Sequence, residues 1–276
     1  MSDKKDILKY ILLFSTIIFL VIILSIFVII YRIIHVDNSY DNKGDYSFRI
    51  EYESSKYNAI EFSFINAAVS INETTDSKLV LEQFSKNDKL YYKGSIKNKI
   101  LKIEETNEGA LFTSVVNIYI PTGDLKKVKI NNAFGNIKIN DISYPLNIKN
   151  NSGNIIINKD SNVLEIDNVS GKIDIKDLNG DLYLTTSTGD IVINNIVGYM
   201  KIDSISGNVI ANNFLIKEDS EIDSVTGDIS VIMNTESTCR LRVINESGSN
   251  NINKEICNST ENILKVVNVT GDIIIE

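Results

Sequence analysis

Four carboxylates on alternating, strand-like runs, Glu165, Asp167, Asp174 and Glu221, are the residues by which this chain could do acid–base chemistry. Two such groups at the separation a glycosidic bond requires would cleave a polysaccharide, one acting as acid and the other as base or nucleophile. An acidic strand surface is commonly charged at every other exposed position, and solvation is the favoured reading of these four. The pairs Gly180-Asp181, Gly189-Asp190, Gly227-Asp228 and Gly271-Asp272 invite comparison with calcium-binding β-rolls. Those loops need Gly-Gly-x-Gly-x-Asp, whose oxygens from two coils surround the ion, and single glycines leave the aspartates as turn stabilisers. No metal site and no cofactor is therefore expected. His35 is the only histidine, which removes a histidine base or a histidine-rich metal site from the rest of the chain. No P-loop or dinucleotide fingerprint occurs, because the glycines follow strands and open no helix. Tyr183 and Tyr199 could offer a sugar a flat platform, although plain strand-surface tyrosines explain them too; alternation turns Tyr183 to solvent. Cys239 and Cys257 lie 18 residues apart. An oxidising exterior would allow a disulfide between them, and two half-buried free thiols is the other reading.

What positions these residues is a repeat. Gly135, Gly153, Gly171, Gly189, Gly207, Gly227, Gly248 and Gly271 follow one another at intervals of 18, 18, 18, 18, 20, 21 and 23 residues. Behind them come short apolar runs such as Ile137-Lys-Ile, Ile155-Ile-Ile, Ile173-Asp-Ile and Ile191-Val-Ile. A second series lies between, as in Val128-Lys-Ile, Leu146-Asn-Ile, Leu182-Tyr-Leu and Met200-Lys-Ile. The pattern predicts an all-β solenoid with about two strands in each 18–23-residue coil, every coil burying its apolar side against its neighbours. Ser-Gly, Thr-Gly or Asn-Gly followed by Asp, Asn or Lys marks the corners, where glycine reaches positive φ and the polar residues satisfy turn amides. Val169, Ile205, Val225 and Val269, two places before their glycines, are expected to pack the corner. Pro121 and Pro145 stand just outside apolar runs, where a missing amide does little harm.

The N-terminal part is different. From Tyr10 to Tyr31 run 22 residues without a charge, enough to span a hydrocarbon core of roughly 30 Å as a helix. The run exceeds a signal peptide's apolar region and leads into Tyr31-Arg-Ile-Ile-His without a small-residue cleavage site. We expect an uncleaved transmembrane anchor over 10–34, a cytoplasmic N-terminus over 1–9 and a polar linker over 35–46. Lys4, Lys5 and Lys9 before the span, against Arg32 and Lys43 after it, orient the chain with its C-terminal part outside the cell. Setting aside the four basic and two acidic residues of the first 36 leaves 24 basic against 34 acidic, a net charge of −10. An acidic domain of this kind repels a nucleic-acid backbone, and nucleic acid is excluded as a partner. Residues 47–127 read as less regular strands that cap the stack, with 128–276 as the regular repeats.

The run Val115-Val-Asn-Ile-Tyr-Ile-Pro-Thr-Gly-Asp-Leu, then Val128-Lys-Ile-Asn-Asn-Ala-Phe-Gly-Asn-Ile-Lys-Ile, carries a resemblance, continued by Thr188-Gly-Asp-Ile-Val-Ile and Thr226-Gly-Asp-Ile-Ser-Val. It is similar to the bacterial β-strand-repeat family of putative adhesins, a domain of unknown function on membrane-anchored surface proteins. The likeness covers roughly residues 59–276 and implies a β-solenoid on the outer surface, with no catalytic residues to carry over. Gly248-Ser-Asn-Asn and the two cysteines depart from the pattern.

The expected molecule is thus a membrane-anchored, non-catalytic surface interaction or adhesion scaffold. Its partners would be the membrane, through the anchor, and an unidentified protein or surface glycan. An accessory role in envelope-stress sensing or signalling and a weak carbohydrate-active enzyme are the alternatives. Because Ile273–Glu276 ends the sequence, the final coil has no obvious cap; residues 257–268 folding over it is the favoured expectation, and a bare tip that docks onto another copy or a partner is the alternative.

Overall fold

The computed structural model describes residues 46–86, 88–106, 114–160, 162–253 and 261–276, with only the backbone of Tyr46, Lys159 and Asp160. The expected anchor over 10–34, the N-terminus over 1–9 and the linker up to residue 45 lie outside the described residues. Among those described, no helix is long and apolar enough to cross a membrane.

Six strands precede the regular repeat: β1 (Tyr46–Glu53), β2 (Ala59–Thr74), β3 (Lys78–Ser85), β4 (Tyr92–Lys97), β5 (Ile100–Glu105) and β6 (Ser114–Pro121). The next twelve are β7 (Val128–Phe134), β8 (Ile137–Ile142), β9 (Leu146–Ser152), β10 (Ile155–Asp160), β11 (Leu164–Ser170), β12 (Ile173–Asn179), β13 (Leu182–Thr188), β14 (Ile191–Gly198), β15 (Met200–Ser206), β16 (Val209–Ile216), β17 (Ser220–Thr226) and β18 (Ile229–Met233). Then come β19 (Cys239–Ser247), β20 (Asn250–Ile252), β21 (Asn262–Thr270) and β22 (Ile273–Ile275).

From β7 onward the odd-numbered strands pair in parallel with one another and form a first flank, and the even-numbered strands form a second. Alternation along each strand turns one set of side chains inward. Register then stacks like on like: Ile130, Ile148, Ile166, Leu184, Ile202, Ile222 and Val266 form one inward column. Ile137, Ile155, Ile173, Ile191, Val209, Ile229 and Ile273 form another on the second flank. All are buried in a single hydrophobic cluster that extends from Tyr57 to Ile275. Each fully buried Ile contributes roughly 1.5–3 kcal/mol, which offsets the entropy of ordering so many short turns.

Two devices shape every coil. At the corner from first to second flank the glycines stack in a column, with φ of +117° at Gly171 and +124° at Gly189. A Cβ on Gly171 would overlap the carbonyl oxygen of Gly153 one coil away, so that corner excludes any side chain on both counts. Later in the coil, Asp141, Asp177, Asn195 and Asn213 adopt φ of 51–59°. Each is an extra residue in its strand: the pairing passes from Lys176↔Asn194 to Leu178↔Ile196 and leaves Asp177 and Asn195 out of the ladder. This bulge turns Ile142, Leu178, Ile196 and Phe214 back into the core, and Asn and Asp tolerate the left-handed conformation it needs.

The order of coils in space departs from their order in sequence at both ends. β2 is long enough to make a whole coil: its first half pairs with β5 and β7, its second with β6 and β8. The strands of residues 47–127 thus all lie at one end of the stack: β2 stacks directly on the regular coils at β7 and β8, and the β5–β6 coil lies beyond it. Antiparallel additions finish this end, β3 on β6 and β1 on β3 along the second flank, and β4 on β5 along the first. At the other end β21 lies between β17 and β19, and β22 between β18 and β20. The alternative of a bare end at Ile273–Glu276 is overturned. The physical reason lies in composition. Leu264, Val266, Ile273 and Ile275 are fully buried with neighbours on both sides, whereas the polar β19–β20 coil, with Arg240, Arg242, Asn250 and Asn251 exposed, takes the outermost place.

Candidate interaction surface

The polar residues of the repeat first serve the coil itself. Inside the corner, Asn132, Asn150 and Asn168 form a buried ladder. Asn150 Nδ2 donates to the Gly153 carbonyl at 2.9 Å and to Asn168 Oδ1 at 2.8 Å, and its own Oδ1 accepts from Asn132 Nδ2 at 2.9 Å. Outside the corner, an Asn or Asp after the glycine accepts the backbone N–H of its counterpart one coil on. Asp190 Oδ1 takes Asn208 N–H at 2.9 Å, Asp228 takes Asp272 N–H at 2.8 Å, and Asp272 takes Ser249 N–H at 2.8 Å. The Ser249 amide holds the Asp272 carboxyl below its usual range. Asp181 faces Tyr199 N–H at 3.4 Å in the same way. These contacts account for the recurrent Gly-Asp and Gly-Asn without a ligand.

The four carboxylates singled out from the sequence are not brought together. Asp174 is on the second flank between Ile156 and Val192, its Oδ1 buried without a hydrogen-bond partner. Glu165 and Asp167 share β11, and Glu221 is three coils along the first flank, about 14 Å away at the usual strand spacing. Each first-flank acid has cationic neighbours: Lys127 reaches Glu165 at 3.1 Å and Lys149 reaches Asp167 at 3.2 Å. Glu221 bonds Lys265 and lies 3.9 Å from Lys201.

A tighter group, missed from the sequence, is Asp203, Glu221 and Asp223. Asp203 and Asp223 are register partners on β15 and β17, at the one place in the regular run where the interval becomes 20 rather than 18. That irregular interval hides the alignment. The Lys265 hydrogen bond holds the Glu221 carboxyl low, while burial, and then the Glu221 charge, push Asp223 up. Beside them a shallow cavity of about 220 Å³ is bounded by Tyr199, Asp219, Arg242 and Ile263, smaller than the roughly 300–1,000 Å³ of small-molecule sites. Tyr183 and Tyr199 do meet, with ring centroids 5.0 Å apart and planes inclined at 41°, and Tyr183 is 43% exposed.

Aliphatic side chains beside the corner face water. Val169, Ile205 and Val225 are 47%, 58% and 46% exposed, with Val269 half-buried in line with them. The expectation that these residues pack the corner is overturned. Alternation gives the inward place to the preceding polar residue, Asn168, Ser204, Ser224 or Asn268, all buried. The aliphatic side chain is left outside. Register makes Ile205, Val225 and Val269 neighbours on successive coils, a continuous ridge along the edge of the stack.

Residues 57–276 match the family model described as Toastrack DUF4097. The chain belongs to the Toastrack DUF4097 family. Among solved structures it is similar to a putative adhesin of Bacteroides fragilis, at 16% identity and TM-score 0.45, over 85% of this chain and 99% of that one. A putative adhesin of Parabacteroides merdae, at 16% identity and TM-score 0.44, is covered to 95% by 84% of this chain. A protein of Parabacteroides distasonis described as a putative lipid binding protein shows the same identity, score and coverage. No match to a curated protein is found.

In this Toastrack domain Cys239 is fully buried at the start of β19, and no cysteine among the described residues is free. Cys257 lies outside the described residues.

Proposed function

We propose that this Toastrack domain is a non-catalytic interaction scaffold, held outside a membrane by a helix over residues 10–34 with the N-terminus in the cytoplasm. The uncharged run from Tyr10 to Tyr31 supports the anchor. The observation that carries the scaffold reading is the exposed aliphatic ridge of Ile205 and Val225, continued by Val269, with exposed Val169 further along the same corner beyond Ser187. Aliphatic side chains aligned in water on a regular stack are what a protein partner or the apolar face of a glycan would cover. Proximity crosslinking on intact cells, comparing wild type with V169S/I205S/V225S, tests it. Discrete crosslinked partners that disappear in the triple variant are expected; identical products from both, or none above an anchor-only control, would refute it.

A second reading rests on Glu221 and Asp223. Two adjacent carboxyls displaced in opposite directions are what acid–base hydrolysis of a glycan uses. Turnover of a polysaccharide by the wild type, abolished in D223N and E221Q, would replace the scaffold reading with this one.

A further inference from the structure

The outermost coil leaves one strand edge unpaired: among the described residues β19 pairs only with β21, so its other edge carries an unpaired row of backbone groups. Its inward side chains are incompletely covered. Leu241 and Val243 are half-buried, whereas Leu264 and Val266, their register partners one coil inside, are fully buried. The opposite end of the stack is finished by antiparallel strands; no strand does this for β19 among those described.

The outward side chains of β19 specify the occupant. Arg240, Arg242, Ile244 and Glu246 are exposed, and neither arginine nor Glu246 has an ion-pair partner among the described residues. In an antiparallel pairing of β19 with itself about Val243, Arg240 falls opposite Glu246, and the two-fold axis makes that pair twice. Arg242 falls opposite Ile244, over which its aliphatic stem can lie. On the inner face Val243 meets Val243 and Leu241 meets Asn245, continuing the core across the junction. A foreign strand would have to supply the same alternation of charge; a second copy has it already.

We propose that two copies of this chain associate end to end through antiparallel β19 edges, related by a two-fold axis at Val243. The proposal stands independently of the scaffold reading, since it uses neither the aliphatic ridge nor a ligand. The test is the sedimentation mass of the full-length chain in detergent micelles, for wild type, R240E, E246R and R240E/E246R. Both substituted side chains are exposed, and circular dichroism verifies that the fold is kept. A wild-type dimer is expected, with each single reversal weakening it at least about tenfold by placing like charges opposite one another. The double reversal should restore it. A wild-type monomer would overturn the proposal, whether residues 254–260 cover the edge or another partner does. So would a dimer indifferent to the single reversals, or one that the double reversal fails to rescue.

Discussion

Gly271 packs against the carbonyl of Gly227, forty-four residues earlier, and Gly248 packs in turn against the carbonyl of Gly271. The column of corner glycines thus stays unbroken while the chain visits its last two positions in reverse. The same contact repeats from Gly227 onto Gly207, Gly207 onto Gly189, and back to Gly135, which rests on Ala67 of β2. With no side chain anywhere along it, the column lets neighbouring backbones approach closely enough to hold the parallel ladders.

Substitution within this column should be severe. In Gly171→Ala the Cβ meets the backbone of Gly153 and the residue is held at φ +117°. A loss of about 3–5 kcal/mol is expected, among the largest single-residue effects. Gly123→Ala also places a side chain at positive φ, +157°, but its Cβ meets no neighbouring atom, so it should cost clearly less than Gly171→Ala. Urea unfolding followed by circular dichroism compares the two.

Asn150→Ala removes the middle of the buried ladder and leaves the Gly153 carbonyl and the Asn132 and Asn168 amide groups short of a partner. Stranding several buried polar groups should cost about 2–4 kcal/mol. Asn147→Ala, on the solvent side of the same strand, should cost clearly less in the same unfolding assay.

Glu105 predicts a pH dependence. Its buried carboxylate accepts the Ile65 and Asn66 amides at 2.5 and 2.9 Å where β2 turns from one flank to the other, while Oε1 has no partner. Burial pushes its pKa up, against the pull of the two amides. A carboxyl raised in the folded state binds its proton more tightly there than when unfolded. Its stabilising contribution is complete below the ordinary carboxylate range and is lost as pH rises through the raised value. Melting temperature should therefore fall over that interval, and Glu105→Gln should flatten it. An unchanged profile in the variant would assign the dependence elsewhere.

Buried Cys239 and the absence of a free cysteine among the described residues lead us to expect a bond to Cys257, the only other cysteine. Non-reducing peptide mapping should recover the two as one linked species. Closing a loop of this size typically stabilises by about 2–4 kcal/mol, so reduction should lower the unfolding midpoint accordingly. Two alkylatable thiols in the unreduced protein would contradict the bond.

Much of this architecture is legible in residue spacing. Eighteen-residue glycine intervals and alternating Ile runs translate directly into coils, because register, corner and core all repeat with that period. The inverted ends are not legible in the same way. Strand pairing at each end is decided by competition between coils for the covered position, and the apolar β21–β22 coil prevails over the polar β19–β20 coil. Nor does spacing alone reveal that β2, before the repeat begins, is already a coil. Its Ile60, Phe62, Val69 and Ile71 alternate correctly but lack a corner glycine, Ala67 standing in its place. The corner aliphatics face outward for a simpler reason: a hydrophobic residue two places before a glycine suggests packing, yet the inward position belongs to the Asn or Ser before it. Asp203 and Asp223 come into register only once the longer interval between β15 and β17 is known.

The most direct test of this threading is residue-resolved native-state hydrogen exchange of the full-length chain. With β22 held between β18 and β20, the amides of Ile273–Ile275 should be protected to the same degree as those of Ile229–Val231, despite lying at the end of the sequence. Rapid exchange at Ile273–Ile275 together with strong protection at Asn250–Ile252 would mean that the coils stack in sequence order, contrary to the architecture described.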